Sequence, residues 1–220
     1  MKILADLVNH IFPASSSQPK KDVLLSSSAV NQAEIDFSDT SLYEFEETKK
    51  LVQHVKNAFA LIEKKGESAF SELRTDPWYT NSSYIFVAGL DGMGFVNPPA
   101  PELEGQNVLH LKNSWGTQMI KQYLDELTLH GKKAVWVHYL GINPHSGQED
   151  WKSSFVMKAE SPSGKGYAVG SGIYNMKMER VLVGEDIKDT CELIEKEGLG
   201  AVRQLMTDKY FKDTFQIFTQ

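Results

Sequence analysis

The chain has one cysteine, Cys191, in 220 residues, so it can make no internal disulfide and no cysteine-rich metal site. It has no uncharged apolar run near the roughly 18 residues that a membrane-spanning helix needs. It also lacks an excess of positive charge: 23 Lys and Arg stand against 29 Asp and Glu, a net charge of −6, which gives no electrostatic footprint for nucleic acid. Catalytic signatures are missing too. No HExxH, GxSxG, P-loop or Cys–His pattern occurs, and His138 and His145 stand either side of a loop without a third ligand at metal spacing. Asp91 and Glu102 could be paired for acid–base work, but Asp91 precedes Gly92, and an Asp-Gly turn accounts for it without catalysis. The expectation is a protein that is not an enzyme and takes no metal or cofactor. The remaining composition, 41% hydrophobic and 24% charged, is that of a globular domain able to bury a core.

What is present falls into three stretches. Residues 1–40 open with Ile3, Leu4, Leu7, Val8, Ile11 and Phe12 on one helical stripe. Asp6, Asn9 and His10 interrupt it, which argues against a secretory signal and for a short docking helix. Its polar face carries too little Lys and Arg for a membrane surface, so its own domain or a second copy is the expected partner. Two serine triplets then give the composition of a tether.

Residues 41–180 read as one domain. Ser41 and Glu44 make a capping box, and Phe45, Leu51, Val52, Val55, Phe59 and Ile62 recur at helical steps until Gly66. A short helix over Ser68–Leu73 is expected to stop at Asp76-Pro77. Tyr84–Leu90, the turn at Asp91-Gly92 and Phe95-Val96 make a hairpin, and Met119, Ile120, Tyr123, Leu124 and Leu127 an amphipathic helix. Three strands follow, over Ala134–Leu140, Ser153–Ala159 and Tyr167–Tyr174, with links short enough to make neighbours antiparallel. The predicted fold is α+β: a long N-terminal helix backing a five-stranded antiparallel sheet with a helical crossover.

Residues 181–220 carry a partial internal repeat. Leu61–Ala88 aligned on Leu193–Gln220 gives 11 identities in 28 positions, enough to read the segment as a second copy of the domain's helices and first strand. A truncated second domain and a cap on the first both explain it.

The runs YIFVAGLDGMGFVNPP, GQNVLHLKNSWG, WVHYLGINPHSGQEDWKSSFV and GYAVGSGIY resemble a single Cache domain, the PAS-like sensory module of bacterial chemoreceptors and sensor kinases. Several separated motifs in the right order, over about residues 45–176, carry the resemblance. It implies a sheet backed by the long helix on one face, with a small-ligand pocket on the other, roofed by the crossover. It further implies a short organic acid as ligand and signalling through a partner protein or an output module. The usual extracytoplasmic setting, tethered to a membrane helix, has no counterpart evident here, so the compartment stays open between periplasm and cytoplasm.

A carboxylate needs a cation or converging donors in an apolar site. Lys152 is the expected anchor, at a position where the resemblance has a lysine opening a strand, against the alternative of a solvated strand-end lysine. Trp136 and Tyr139 lie in the segment the family uses around its pocket, but strand alternation puts them on opposite faces, so one belongs to the core. Asn97 stands before a proline where related sequences often carry histidine, or is a plain turn residue; Tyr84, Phe86 and Phe155 are wall candidates that could equally be core; Trp115 is a lid or anchor of the crossover loop. Gly170, Gly172 and Tyr174 read as structural. The competing reading is a non-catalytic interaction module with the same fold and a filled pocket; whether Lys152 points into an open cavity or out to solvent separates the two. A homodimer through the long helix is compatible with its single stripe but not indicated by it.

Overall fold

The structure, a computed structural model, describes residues 35–80 and 83–184, together with positions 196 and 198. The described elements fall in the second of two units of the chain, Asp36–Gln220. The expected docking helix and tether lie outside the described residues.

Among the described residues the main elements follow in the order α1 (Glu46–Lys65), β1 (Phe86–Gly89), β2 (Gly94–Val96), α2 (Met119–Thr128), β3 (Ala134–Ile142), β4 (Glu149–Glu160) and β5 (Gly166–Tyr174). The strands form one antiparallel sheet in the order β2-β1-β5-β4-β3. The chain thus makes a hairpin, crosses through α2 to the far edge, and returns strand by strand until β5 closes against β1. This is the predicted α+β order.

The two faces of the sheet are covered by different helices. On one, Leu51, Val52, Val55, Ala58 and Ile62 of α1 pack against Phe155, Met157, Ala159, Tyr167 and Val169. On the other, Tyr123, Leu124 and Leu127 of α2 pack against Val135, Val137, Val156 and Ala168. Both faces being apolar, β4 and β5 read as nearly unbroken buried runs, as strands with no solvated side do.

Local details depart from the sequence expectations. The expected capping box is not formed: Ser41 lies in a 3₁₀ turn (Thr40–Leu42) capped by Asp39, and α1 starts later, after Phe45, whose side chain makes no cap. The cap comes instead from Glu179, beyond β5. Its fully buried carboxylate accepts the backbone N–H groups of Glu44 at 2.8 Å and Phe45 at 3.0 Å. Val181 and Leu182, which follow it, pack into the α1 core. The short helix expected over Ser68–Leu73 is two 3₁₀ turns, Gly66–Ala69 and Glu72–Arg74, because the run is too short to propagate an α-helix. β3 and β4 run further than predicted, leaving only residues 143–148 as their turn, so Lys152 is the fourth residue of β4 rather than its opening one. Gly66 ends α1 at φ 59°, and Gly198, its counterpart in the repeat, takes the same φ of 59°. The rest of the repeat lies outside the described residues.

Candidate ligand-binding site

Register decides which residues meet. Tyr139 pairs with Lys152, Lys152 with Tyr174, Ser154 with Gly172, and Phe86 with Gly170. Paired residues in a sheet share a face, so Tyr139, Lys152, Ser154, Tyr174 and Phe86 stand together on the α2 side. Phe86 and Tyr139 pack on the α2 cluster there, with Phe86 and Tyr123 ring centroids 5.9 Å apart.

Lys152 is the centre of this group. It is only 3% exposed, and its Nζ donates to Tyr84 Oη at 2.6 Å. Its ammonium lies 4.4 Å from the centroid of the Tyr84 ring, 5.1 Å from Tyr174 and 5.6 Å from Phe86, an aromatic cage of the kind that attracts cations. The described ion pairs do not include it. Burial pulls its pKa from 10.5 down to about 7.

Further hydroxyl groups stand on the same face of the sheet. Tyr84 and Tyr174 are hydrogen-bonded to one another, and Tyr174 Oη donates to the Ile142 carbonyl at 2.5 Å, which makes a chain from Lys152 to the end of β3. Tyr139 Oη and Ser154 Oγ are 2.9 Å apart. Desolvation raises the pKa of Tyr84, Tyr139 and Tyr123 and pushes Tyr174 up to about 12, so all four phenols stay neutral and serve as donors or acceptors. The set is suited to a small anion: one cation, several neutral hydroxyls and apolar ring faces.

Gly172 makes room for it. A β-carbon there would stand 2.5 Å from Lys152 Cε, 2.5 Å from Ser154 Oγ and 2.9 Å from the Ser153 carbonyl oxygen. The lysine stem crosses the strand where a side chain is missing, the close approach for which a strand glycine is suited. Gly172→Ala is expected to force the stem and the strand apart, costing about 1–3 kcal/mol of stability as overpacking does. Urea denaturation measures this; an unchanged midpoint would show that the lysine does not lie across Gly172.

The other expected site residues are placed elsewhere. Trp136 and Phe155, paired in register, face α1: their rings are 5.4 Å apart, and Trp136 Nε1 donates to Tyr43 Oη at 2.9 Å. Alternation puts both on the face opposite Lys152, which makes Trp136 the core member of the Trp136/Tyr139 pair. Trp115 packs edge-on against Trp151, at 5.2 Å, and the neighbouring Asn113 ties the crossover loop to β3 through the Leu140 carbonyl at 3.4 Å. Asn97 follows β2 and gives its backbone N–H to Glu104 Oε1 at 2.7 Å, a carboxylate also gripped by Arg74. His138 Nδ1 meets Ser153 Oγ at 2.8 Å, and burial takes its pKa down to about 4. Among the described residues no group of three or more His, Cys, Asp or Glu side chains could hold a metal ion, and no helix is long and apolar enough to cross a membrane.

Sequence reasoning missed Tyr174, Ser154 and Gly172 as members of the site. The signal was there, since Gly172 and Tyr174 alternate along β5, but only the register with β4 shows that they flank the lysine.

A family model described as a Cache domain matches residues 29–197. The curated proteins give no match. Among solved structures, the chain is similar to a periplasmic sensor domain of a chemotaxis protein, with 26% identity, TM-score 0.45, and coverage of 56% of this chain and 87% of that one. It is similar to a Cache chemosensory domain described for carboxylic acid recognition, at 22% identity, TM-score 0.49, covering 59% and 94% of the two chains. A third is a methyl-accepting chemotaxis protein from Vibrio parahaemolyticus, at 18% identity, TM-score 0.47, covering 58% and 88%.

Proposed function

The chain belongs to the Cache family, and from that premise we propose that it is a sensory domain binding a short organic acid, with the ligand's carboxylate received by Lys152. The observation that carries this reading is a buried ammonium held by phenols and ring faces, with burial alone acting on its charge state. A buried charge is costly unless paired, so a site that keeps one is poised for an incoming anion. A monocarboxylate supplies the missing charge, and Tyr139, Ser154 and Tyr84 supply hydroxyls to its second oxygen and to any substituent. The burial of Lys152 argues against a solvated strand-end lysine; an interaction module with a filled pocket is the rival that ligand binding separates from this reading.

The output runs through the chain beyond β5. Tyr174 touches the ammonium, Asn175 follows in the left-handed region at φ 52°, Lys177 sits 4.0 Å over the Phe45 ring, and Glu179 caps α1. A ligand that displaces Tyr174 therefore acts within five residues on the entrance to the long helix, and a protein partner reading that junction receives the signal.

Thermal unfolding with acetate, propionate, lactate and pyruvate, beside a Lys152→Met control, tests the proposal. An acid present at 100 times its Kd should stabilise the fold by about 2.7 kcal/mol. A shift with at least one acid, lost in the variant, is expected. No shift with any, from well-folded protein, would sink the sensor reading in favour of an interaction module.

A further inference from the structure

Every element around Lys152 contributes neutral groups. Tyr139 comes from β3, Ser154 from β4, Tyr174 from β5, Phe86 from β1, Tyr84 from the segment before it, and Tyr123 from α2, with the phenols all held neutral by burial. The carboxylate whose charge reaches this cluster is Asp150. It acts on Tyr174 and is itself held by Asn143 Nδ2 at 2.8 Å and Ser146 Oγ at 3.4 Å. Among the described residues the amine is in no ion pair, and a ligand carboxylate would bring it one.

From this geometry we infer that carboxylate binding at Lys152 is coupled to uptake of a proton, so that the domain reads acidity together with its ligand. The inference rests on the reading of Lys152 as the carboxylate's anchor. In the ligand-free protein the ammonium gives up its proton near neutrality, because desolvation disfavours the charged form. A carboxylate placed beside it favours the charged form and raises the pKa again. Between the two values, binding draws a proton from solvent.

The sign follows directly. Below about pH 7 the amine is already charged and affinity does not depend on pH. Above it, each binding event must first protonate Lys152, and affinity falls by a factor that approaches about ten per pH unit until the bound-state pKa is reached. The phenols titrate too high to contribute there, and His138, on the opposite face, titrates too low.

Two measurements test this on the whole chain. Calorimetric titration with the sodium salts of acetate, propionate, lactate and pyruvate, at pH 6.0 and 8.5 in two buffers of different ionisation enthalpy that each hold that pH, reads proton uptake from the difference between buffers. Near zero uptake at the lower pH, uptake approaching one proton at the higher, and a fall in affinity of at least fivefold between them are expected. Binding with the same affinity at both pH values and no dependence on buffer would overturn the inference while leaving the sensor reading intact. In parallel, the Lys152 ε-carbon resonance of the ligand-free protein, assigned by its absence from Lys152→Met, should titrate near neutrality. A midpoint above pH 9.5 would overturn the coupling whatever binds. Binding by none of the four acids at either pH would overturn coupling and sensor reading together, and the resonance would then tell whether the burial argument had failed as well.

Discussion

Lys152→Met is expected to make the protein more stable at pH 6 while removing its response to small acids. The wild-type lysine has its ordinary pKa of 10.5 when unfolded and about 7 when folded. Between those values the unfolded chain binds more protons than the native one, so wild-type stability rises with pH from about 7 to about 10.5, at roughly 1.4 kcal/mol per unit. Below about 7 both states are protonated and the full cost of burying the charge is present, on the order of several kcal/mol before relaxation is allowed for. Methionine has nearly the same length, follows the same path over Gly172, and carries no charge to desolvate. The variant should therefore be the more stable protein at pH 6, by about 2–4 kcal/mol, with the gap closing toward pH 10. Urea denaturation of both proteins at pH 6, 8 and 9.5 measures it. A wild type more stable than the variant at pH 6, or a gap indifferent to pH, would show that Lys152 is neither desolvated nor uncompensated in solution. The stability given up by keeping this lysine is what a binding function explains and a packing function does not.

The layout of the fold was legible because its signals are local. The stripe of Leu51, Val52, Val55 and Ile62 defines α1, and the period of two along β3 was enough to separate Tyr139 from Trp136 before any register was known. The cluster proposed as the site was legible only in part. Lys152, Tyr84 and Tyr139 stood out as residue types, but Phe155 was drawn into the set although alternation from Lys152 places it on the α1 face with Trp136. Tyr174 and Ser154 were missed for the complementary reason. Membership depends on how β4 and β5 slide past each other, and a shift of one residue would have turned each of them away. The turns after α1 were misread as a helix because helix-favouring residues in a short run do not pay the cost of nucleation. Least legible was the start of α1. Ser41 and Glu44 match a capping pattern, yet a carboxylate 134 residues away from Phe45 performs the task, and no spacing rule reaches that far.

That distant cap carries the second large expected effect. Phe45 stands at the N-cap of α1 with no side-chain oxygen of its own, and Glu179 satisfies two backbone donors there from a position with no solvent exposure. Its negative charge also faces the positive end of the helix dipole. Glu179→Ala takes the acceptor from both N–H groups at a part-buried helix start, and each group left unsatisfied costs up to about 1–3 kcal/mol. With the lost cap included, a destabilisation of about 2–4 kcal/mol is expected. Glu179→Gln separates charge from packing, because one amide oxygen still accepts while the NH2 group faces a donor; roughly half the loss should remain. Arg180→Ala serves as the control, since its pair with Glu44 at 3.1 Å is exposed, and such pairs contribute little. Urea denaturation of the three variants distinguishes the cases, and a Glu179→Ala protein as stable as Arg180→Ala would mean that the carboxylate does not hold the helix in solution. Because Tyr174 lies five residues before Glu179 and its ring centroid stands 5.1 Å from the Lys152 ammonium, the proposed route from an occupied site to α1 passes through the same junction. Glu179→Gln should therefore leave acid affinity within about twofold while weakening the hydrogen-exchange protection that acid binding confers on the first turn of α1. Equal protection in the variant and the wild type would place the route from site to helix elsewhere.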